Sequence, residues 1–168
     1  MHESYVAPAP TPTVIPELKL RFKCNVRSES SSGNKNVFDL NGVGGQNPPV
    51  QAWNSNRIWE IFSVPGSNTR IIIKNAGNSF VLFSAGKHTI PRTEAINYEE
   101  DRTRKDCQWD LQDATVENVT DRTQVRFRNA KDGTYLDLSS ENTANGTAFL
   151  TWKDGHGGAN QAFKLWKH

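Results

Sequence analysis

The chain is short of the features that mark several common classes of protein. Only two of its 168 residues are cysteine. Cys24 and Cys107 lie far apart and match no metal-ligand spacing, and a single bridge cannot build a disulfide-dense scaffold. They read as two buried or semi-buried thiols of a protein in a reducing compartment. No apolar run approaches the length of a transmembrane helix, so membrane insertion is not expected. The N-terminus lacks both a charged n-region and an apolar h-region. The expected location is therefore the cytoplasm, with secretion by another route or prior processing left open. An excess of one charge is missing too: 20 basic and 18 acidic residues leave a net charge of +2. These charges are interspersed, and the densest run, Glu99 to Asp106, carries both signs. A nucleic-acid binder segregates a basic face, so nucleic acid is not an expected partner and this run reads as a solvated loop. The four histidines include His2 and His168 at the ends. They form no nucleophile–base set with Ser, Cys or Asp, and nothing calls for a metal or another cofactor.

Long helical stripes are also absent. Apolar residues recur at no helix period over a useful length, turn formers are frequent, and the mean hydropathy is −0.68. This favours an all-β domain with many loops. A chain of this length fits one domain, able to bury roughly 70% of its unfolded surface without staples. Residues 1–16 hold four of the eight prolines (Pro8, Pro10, Pro12 and Pro16). Proline at this density opposes helix and ladder alike and predicts a disordered or extended arm, with the folded domain starting near Glu17.

From Glu17 the chain repeats itself. Lys74-Asn-Ala-Gly-Asn78 and Arg128-Asn-Ala-Lys-Asp-Gly133 are one hairpin written twice, each with alternating apolar residues before the turn and a β-rich strand after it. The strand after the turn runs Asn36-Val-Phe-Asp39-Leu40 in the first unit, Ser79-Phe-Val-Leu-Phe83 in the second and Thr134-Tyr-Leu-Asp137-Leu138 in the third. The second halves also match. Pro49-Val-Gln51-Ala-Trp53 leads to Trp59, Glu94-Ala-Ile-Asn-Tyr98 to Trp109, and Ala148-Phe-Leu150-Thr-Trp152 to Phe163. The closing aromatics Trp59, Trp109 and Phe163 stand 50 and 54 residues apart. They are candidate core residues. Three units, about 17–63, 69–112 and 123–168, must bury their apolar faces against one another.

On these residues the chain resembles the ricin-B-type (R-type) β-trefoil lectins. In that family each third carries an Asp between apolar residues, then apolar-Gln-apolar-Trp, then Asn-Gln-apolar-Trp. The resemblance spans about residues 17–168, and its threefold recurrence makes it more specific than one Gln-x-Trp match. It implies a β-trefoil: a barrel of six hairpins with a triangular cap, essentially free of helix. Unit three fits best, with Asp137, Trp152, Asn160 and Gln161 in register and His156 in the glycine-rich loop before the amides. Leu150 stands where the family often has a polar residue, and Phe163 replaces the closing Trp. Unit one keeps Asp39, Gln51, Trp53 and Asn56. Its span from Trp53 to Trp59 is six residues, against eleven from Trp152 to Phe163, and Arg57 takes the Gln position. Unit two reads as having lost its site, with Leu82 for the Asp, Tyr98 for the Trp and Cys107 for the Gln.

These residue types suit a sugar. A pyranose has an apolar C–H face that an indole can receive, and a rim of hydroxyls that a carboxylate can hold. Charge-assisted hydrogen bonds are roughly twice as strong as neutral ones, so Asp137 is expected to dominate specificity. Asn160 offers donors and an acceptor to the same hydroxyls, Gln161 is placed to orient Asp137, and His156 reads as a loop histidine close enough to touch a ligand. Galactose or N-acetylgalactosamine, the usual ligand class of the family, fits because the axial 4-hydroxyl leaves a continuous C–H patch. The partners expected are therefore galactoside-bearing glycans. A single shallow site would bind around mM, roughly −4 kcal/mol, so useful affinity needs two sites or a homodimer. Hydrolysis would call for a second carboxylate, and none accompanies Asp137. The alternative is a β-trefoil protease inhibitor acting through an exposed loop such as 84–106, but that function has no use for the paired Asp and Trp. Asn118-Val-Thr and Asn145-Gly-Thr match the glycosylation pattern and read as turns.

Overall fold

The computed structural model describes residues 3–10, 17–30, 36–41, 47–96, 100–139 and 142–168. Parts of the proline-rich arm (1–2 and 11–16) and Tyr98 lie outside the described residues. Twelve strands follow in order: β1 (Lys19–Ser28), β2 (Val37–Leu40), β3 (Val50–Trp53), β4 (Trp59–Ser63), β5 (Arg70–Asn75), β6 (Val81–Phe83), β7 (Arg92–Glu94), β8 (Trp109–Gln112), β9 (Gln124–Asn129), β10 (Tyr135–Leu138), β11 (Phe149–Trp152) and β12 (Phe163–Lys167). Helical turns are short and include one α turn, Glu100–Thr103, and the 3₁₀ turns Lys105–Cys107 and Ala159–Gln161. None of the described helices is long and apolar enough to cross a membrane.

Pairing is antiparallel throughout, and six strands close on themselves: β1–β4, β4–β5, β5–β8, β8–β9, β9–β12 and β12–β1. Closure leaves no free sheet edge within the ring, which removes a template for unwanted strand addition. The other six strands form three hairpins, β2–β3, β6–β7 and β10–β11. They touch one another in a triangle. Val50 N–H donates to Pro91 O, Ala52 N–H to Thr147 O, and Thr151 N–H to Thr89 O. The expected β-trefoil is what the chain forms.

Local chemistry explains the repeated turn. Asn75 Oδ1 accepts from the N–H groups of Gly77 and Asn78, and Asn129 Oδ1 accepts from those of Lys131 and Asp132. One side-chain amide thus replaces the missing ladder partner in both hairpins. Beneath the cap, Trp59, Trp109 and Phe163 are fully buried in the same core. The two indoles donate upward, Trp59 Nε1 to Phe38 O (2.9 Å) and Trp109 Nε1 to Leu82 O (3.2 Å). Phe163 occupies the third position without a donor, in edge contact with Phe38 (5.1 Å between centroids). Both cysteines are buried and unbridged. Cys24 lies in this core and Cys107 in a smaller cluster with Ile72 and Val81. Burial pushes the Cys24 thiol up to about 12, partly offset by the charge of Lys167.

Candidate functional site

Strand alternation builds the face of the site. On β10, Leu136 and Leu138 point into the core, while Tyr135 and Asp137 share the opposite face. Their partners across the hairpin on β11 are Trp152 and Leu150. Asp137 is only 5% exposed. A carboxylate can be ionised at such depth only where donors replace water. Three donors do so here. Asn160 Nδ2 reaches Oδ1 at 2.9 Å, Gln161 Nε2 reaches Oδ2 at 2.9 Å, and His156 Nε2 lies 3.3 Å from Oδ2. His156 Nδ1 accepts the Gly158 N–H (3.0 Å), so Nε2 carries the ring proton and donates to the carboxylate. A carboxylate has about four acceptor positions, and one on Oδ1 is left by these bonds.

Both amides arrive on one 3₁₀ turn, Ala159–Gln161. Gln161, fully buried, also donates to Asp154 O (2.9 Å) and accepts from His156 N–H (3.2 Å), tying the whole 154–161 loop to the acid. Glycines let this loop lie flat. A Cβ at Gly155 would sit 2.9 Å from the Tyr135 ring, and one at Gly158 would sit 2.7 Å from His156 Cε1 and 2.9 Å from Asn160 Oδ1. From β9, Arg126 donates to the Gly157 and Gly158 carbonyls at 3.0 and 3.1 Å.

Trp152 is 36% exposed, and its indole stacks on His88 at 4.3 Å between centroids and 24° between planes. β10 lies along one edge of β11, and the 86–89 loop lies along the other, bonded through His88 N–H to Thr151 O and Thr151 N–H to Thr89 O. His88 therefore covers the indole face turned away from Asp137. The remaining side opens on a cleft of about 260 Å³ lined by Asp137, Ser139, Leu150, Trp152, His156 and Asn160. Of the residues proposed from the sequence for unit three, only Gln161 stands behind this wall.

Unit one arranges its residues differently. Asp39 faces Gln51 across the β2–β3 hairpin, with Trp53 exposed on the same face. Asp39 Oδ1 accepts from Arg57 Nε and from Leu40 N–H, both at 2.7 Å. Asn56 is exposed and makes no bond to Asp39, because the shorter loop has no equivalent of the 3₁₀ turn. The cleft here measures about 320 Å³ and is lined by Asp39, Ser55, Asn56, Arg57, Ile58, Ala76 and Gly77. Gln51 and Trp53 do not line it.

Unit two corrects the sequence reading of its site. Val81, the partner of Glu94, occupies the place of Val37 and Tyr135, the partners of Trp53 and Trp152. The acid position is therefore Phe83, not Leu82, and the platform position is Glu94. Leu82 is core, as its carbonyl bond to Trp109 shows. Asp106 and Cys107 hold the two amide positions. Arg104 pairs with Glu94 and grips Asp106 through two hydrogen bonds of 2.7 and 3.1 Å. Burial opposes ionisation of Asp106, but the hydrogen bonds and charge of Arg104 outweigh it and hold the carboxyl below its ordinary range. Among the described residues of this unit no exposed indole remains, and the acid that lines its cleft beside Phe83 and Ser84 is Asp106, already gripped by Arg104.

The sequence alone does not single out His88 or Arg126 for the site. Both act on the third site from outside its motif, His88 from the second unit and Arg126 from a strand of the third that carries no motif residue.

What fold and site define together is a β-trefoil with a shallow cleft in which a fixed carboxylate stands beside an exposed indole. Family membership agrees. A family model described as "Ricin-type beta-trefoil lectin domain-like" matches residues 51–152 and 105–167, and the chain belongs to this family of ricin-type β-trefoil lectins. No curated protein sequence matches it significantly. Solved structures share the fold at low identity. The designed threefold-symmetric protein ThreeFoil aligns at 15% identity over 86% of this chain and 97% of its own, with a TM-score of 0.68. The C-half of an earthworm R-type lectin, solved in complex with GalNAc, aligns at 17% identity over 88% and 99%, with a TM-score of 0.60. An exo-beta-1,3-galactanase from Clostridium thermocellum aligns at 18% identity over 88% of this chain but only 30% of the enzyme, with a TM-score of 0.69.

Proposed function

We propose that the protein is a non-catalytic lectin that holds terminal galactose or N-acetylgalactosamine in the unit-three cleft. The observation that carries this reading is the Asp137 carboxylate, fixed by Asn160, Gln161 and His156 beside Trp152. In this reading the sugar lays its C–H face on the indole and gives its 3- and 4-hydroxyls to Asp137 and its neighbours. The fixed donors matter because a carboxylate that need not reorganise gives up less on binding. Among the described residues lining the cleft, Asp137 is the one acid. Glycoside hydrolysis uses two carboxyl groups about 5–9.5 Å apart, so this cleft is built for holding and not for cleavage. The GalNAc complex of the earthworm lectin supports the choice of ligand class.

The test is retention on immobilised galactose together with a glycan array. Asp137→Asn keeps the shape and removes the charge, and should weaken galactoside binding at least about tenfold while the protein stays folded. A folded Asp137→Asn variant that bound galactose as well as the parent would refute the assignment. A blank array beside tight inhibition of a protease would favour the inhibitor reading.

A further inference from the structure

The unit-one cleft differs from the unit-three cleft in chemistry, and the difference centres on Arg57. Where unit three has a neutral amide, Gln161, unit one has a guanidinium. Arg57 uses a single donor, Nε, on Asp39 (2.7 Å). Its two terminal nitrogens have no hydrogen bond among the described residues, and its side chain remains 27% exposed. Nη1 lies beside Gly77, 4.0 Å from the place of a Cβ there, and Gly77 and Arg57 both line the cleft. A Cβ at that glycine would be in ordinary contact with the guanidinium and tighter against Asn75 Oδ1, at 3.2 Å. Asp39, for its part, has Oδ1 engaged by both Arg57 and Leu40 N–H, and no bond among the described residues reaches its Oδ2. Asn56 adds an exposed amide at the same mouth.

A planar guanidinium whose two terminal –NH₂ groups are unused matches one ligand group best: a carboxylate, held by two parallel N–H···O bonds. With Nε on Asp39 and the outer pair on the ligand, one arginine would bridge two carboxylates, its charge shared between them. We infer that the unit-one cleft binds acidic sugars, pyranosides that carry a carboxylate, while unit three takes neutral galactosides. This rests on the reading that the chain binds glycans, but not on the chemistry of Asp137. A sialoside and a uronide share the recognised group, and the probes below separate them.

The experiment titrates the whole protein, followed by NMR shifts, with methyl sialoside, methyl glucuronide, the methyl esters of both, and methyl galactoside. At least one acid should bind, and its ester should bind roughly tenfold more weakly, since a hydrogen-bonded charge is lost. Binding of the acid should also fall between low and high salt, as the screening length drops from about 30 Å at 0.01 M to about 3 Å at 1 M. Arg57→Gln should abolish the preference for acid over ester. Arg57→Lys, which keeps the charge and loses the fork, should retain only part of it. Acids that bind no better than their esters, or an unchanged preference in Arg57→Gln, would overturn the inference, as would a parent that binds neither acid. If the Gln variant does not fold, the ester comparison and the Lys variant still decide. Methyl galactoside reports the other site independently. Acid binding without galactoside binding would sink the unit-three reading alone, and the reverse would sink this one alone.

Discussion

A Gln161→Leu substitution keeps a side chain of similar bulk at a fully buried position and removes three hydrogen bonds at once. One of them, to Asp137 Oδ2, is charge-assisted and worth about 1.5–3 kcal/mol. The other two, to Asp154 O and from His156 N–H, are neutral and worth about 1 kcal/mol each. The apolar leucine recovers part of this, leaving a loss of about 3–4 kcal/mol. For a domain of this size each kcal/mol lowers Tm by about 2–4 °C, so the midpoint should fall on the order of 10 °C. The sugar site should suffer more than the fold. Asp137 loses one of its fixed donors, the 154–161 loop loses one of its three ties to it, and galactoside affinity should drop by about tenfold or more. Thermal unfolding gives the first number and titration with methyl galactoside gives the second. A variant within about 2 °C of the parent (under about 1 kcal/mol) would show that the network does not bear on stability. Unchanged affinity would show that the amide does not orient the acid.

His88→Ala should uncover the back of Trp152 and weaken galactoside binding roughly two- to tenfold, the range of one aromatic contact of about 0.5–1.5 kcal/mol. His88→Phe should restore it, and equal affinity in all three proteins would refute the role. The Cys24 thiol, raised to about 12 from an ordinary 9.0, predicts a stability loss at high pH. Below pH 9 the thiol is protonated in both states. Above it the unfolded chain releases the proton while the folded one keeps it, so stability falls as pH rises from about 9 towards 12. Denaturant midpoints of the parent should therefore drop more steeply over that range than those of Cys24→Ala, and parallel curves would contradict the burial argument.

Much of the architecture is legible in the sequence because it repeats. The Asn-centred turns at 75 and 129 are local chemistry, and a turn bonded within four residues needs no tertiary contact to be recognised. The tryptophans at 59 and 109 and the phenylalanine at 163 stand out by their spacing. Unit two reads one residue out of place for a physical reason. Val81, Leu82 and Phe83 are all apolar, and a strand without alternation does not say which side faces in. Only the pairing of Val81 with Glu94 and the bond from Trp109 to Leu82 settle it. Likewise, an aspartate between apolar residues marks both Asp39 and Asp137, but not that one meets a guanidinium and the other two amides.

By itself, then, the sequence determined the class of fold and the presence of an acid, an indole and an amide pair in one unit. Periodicity and repetition are properties of neighbours along the chain, and they survive without coordinates. Tertiary structure decided the rest. It placed His88 of the second unit behind Trp152 of the third, brought Arg126 under the Gly157–Gly158 carbonyls, and let Arg57 close on Asp39. These contacts join residues 18 to 64 positions apart. The first exists because the triangular cap makes hairpins of different units share their edges, the other two because a loop folds back within its own unit, and no pattern along the chain records which side chain meets which.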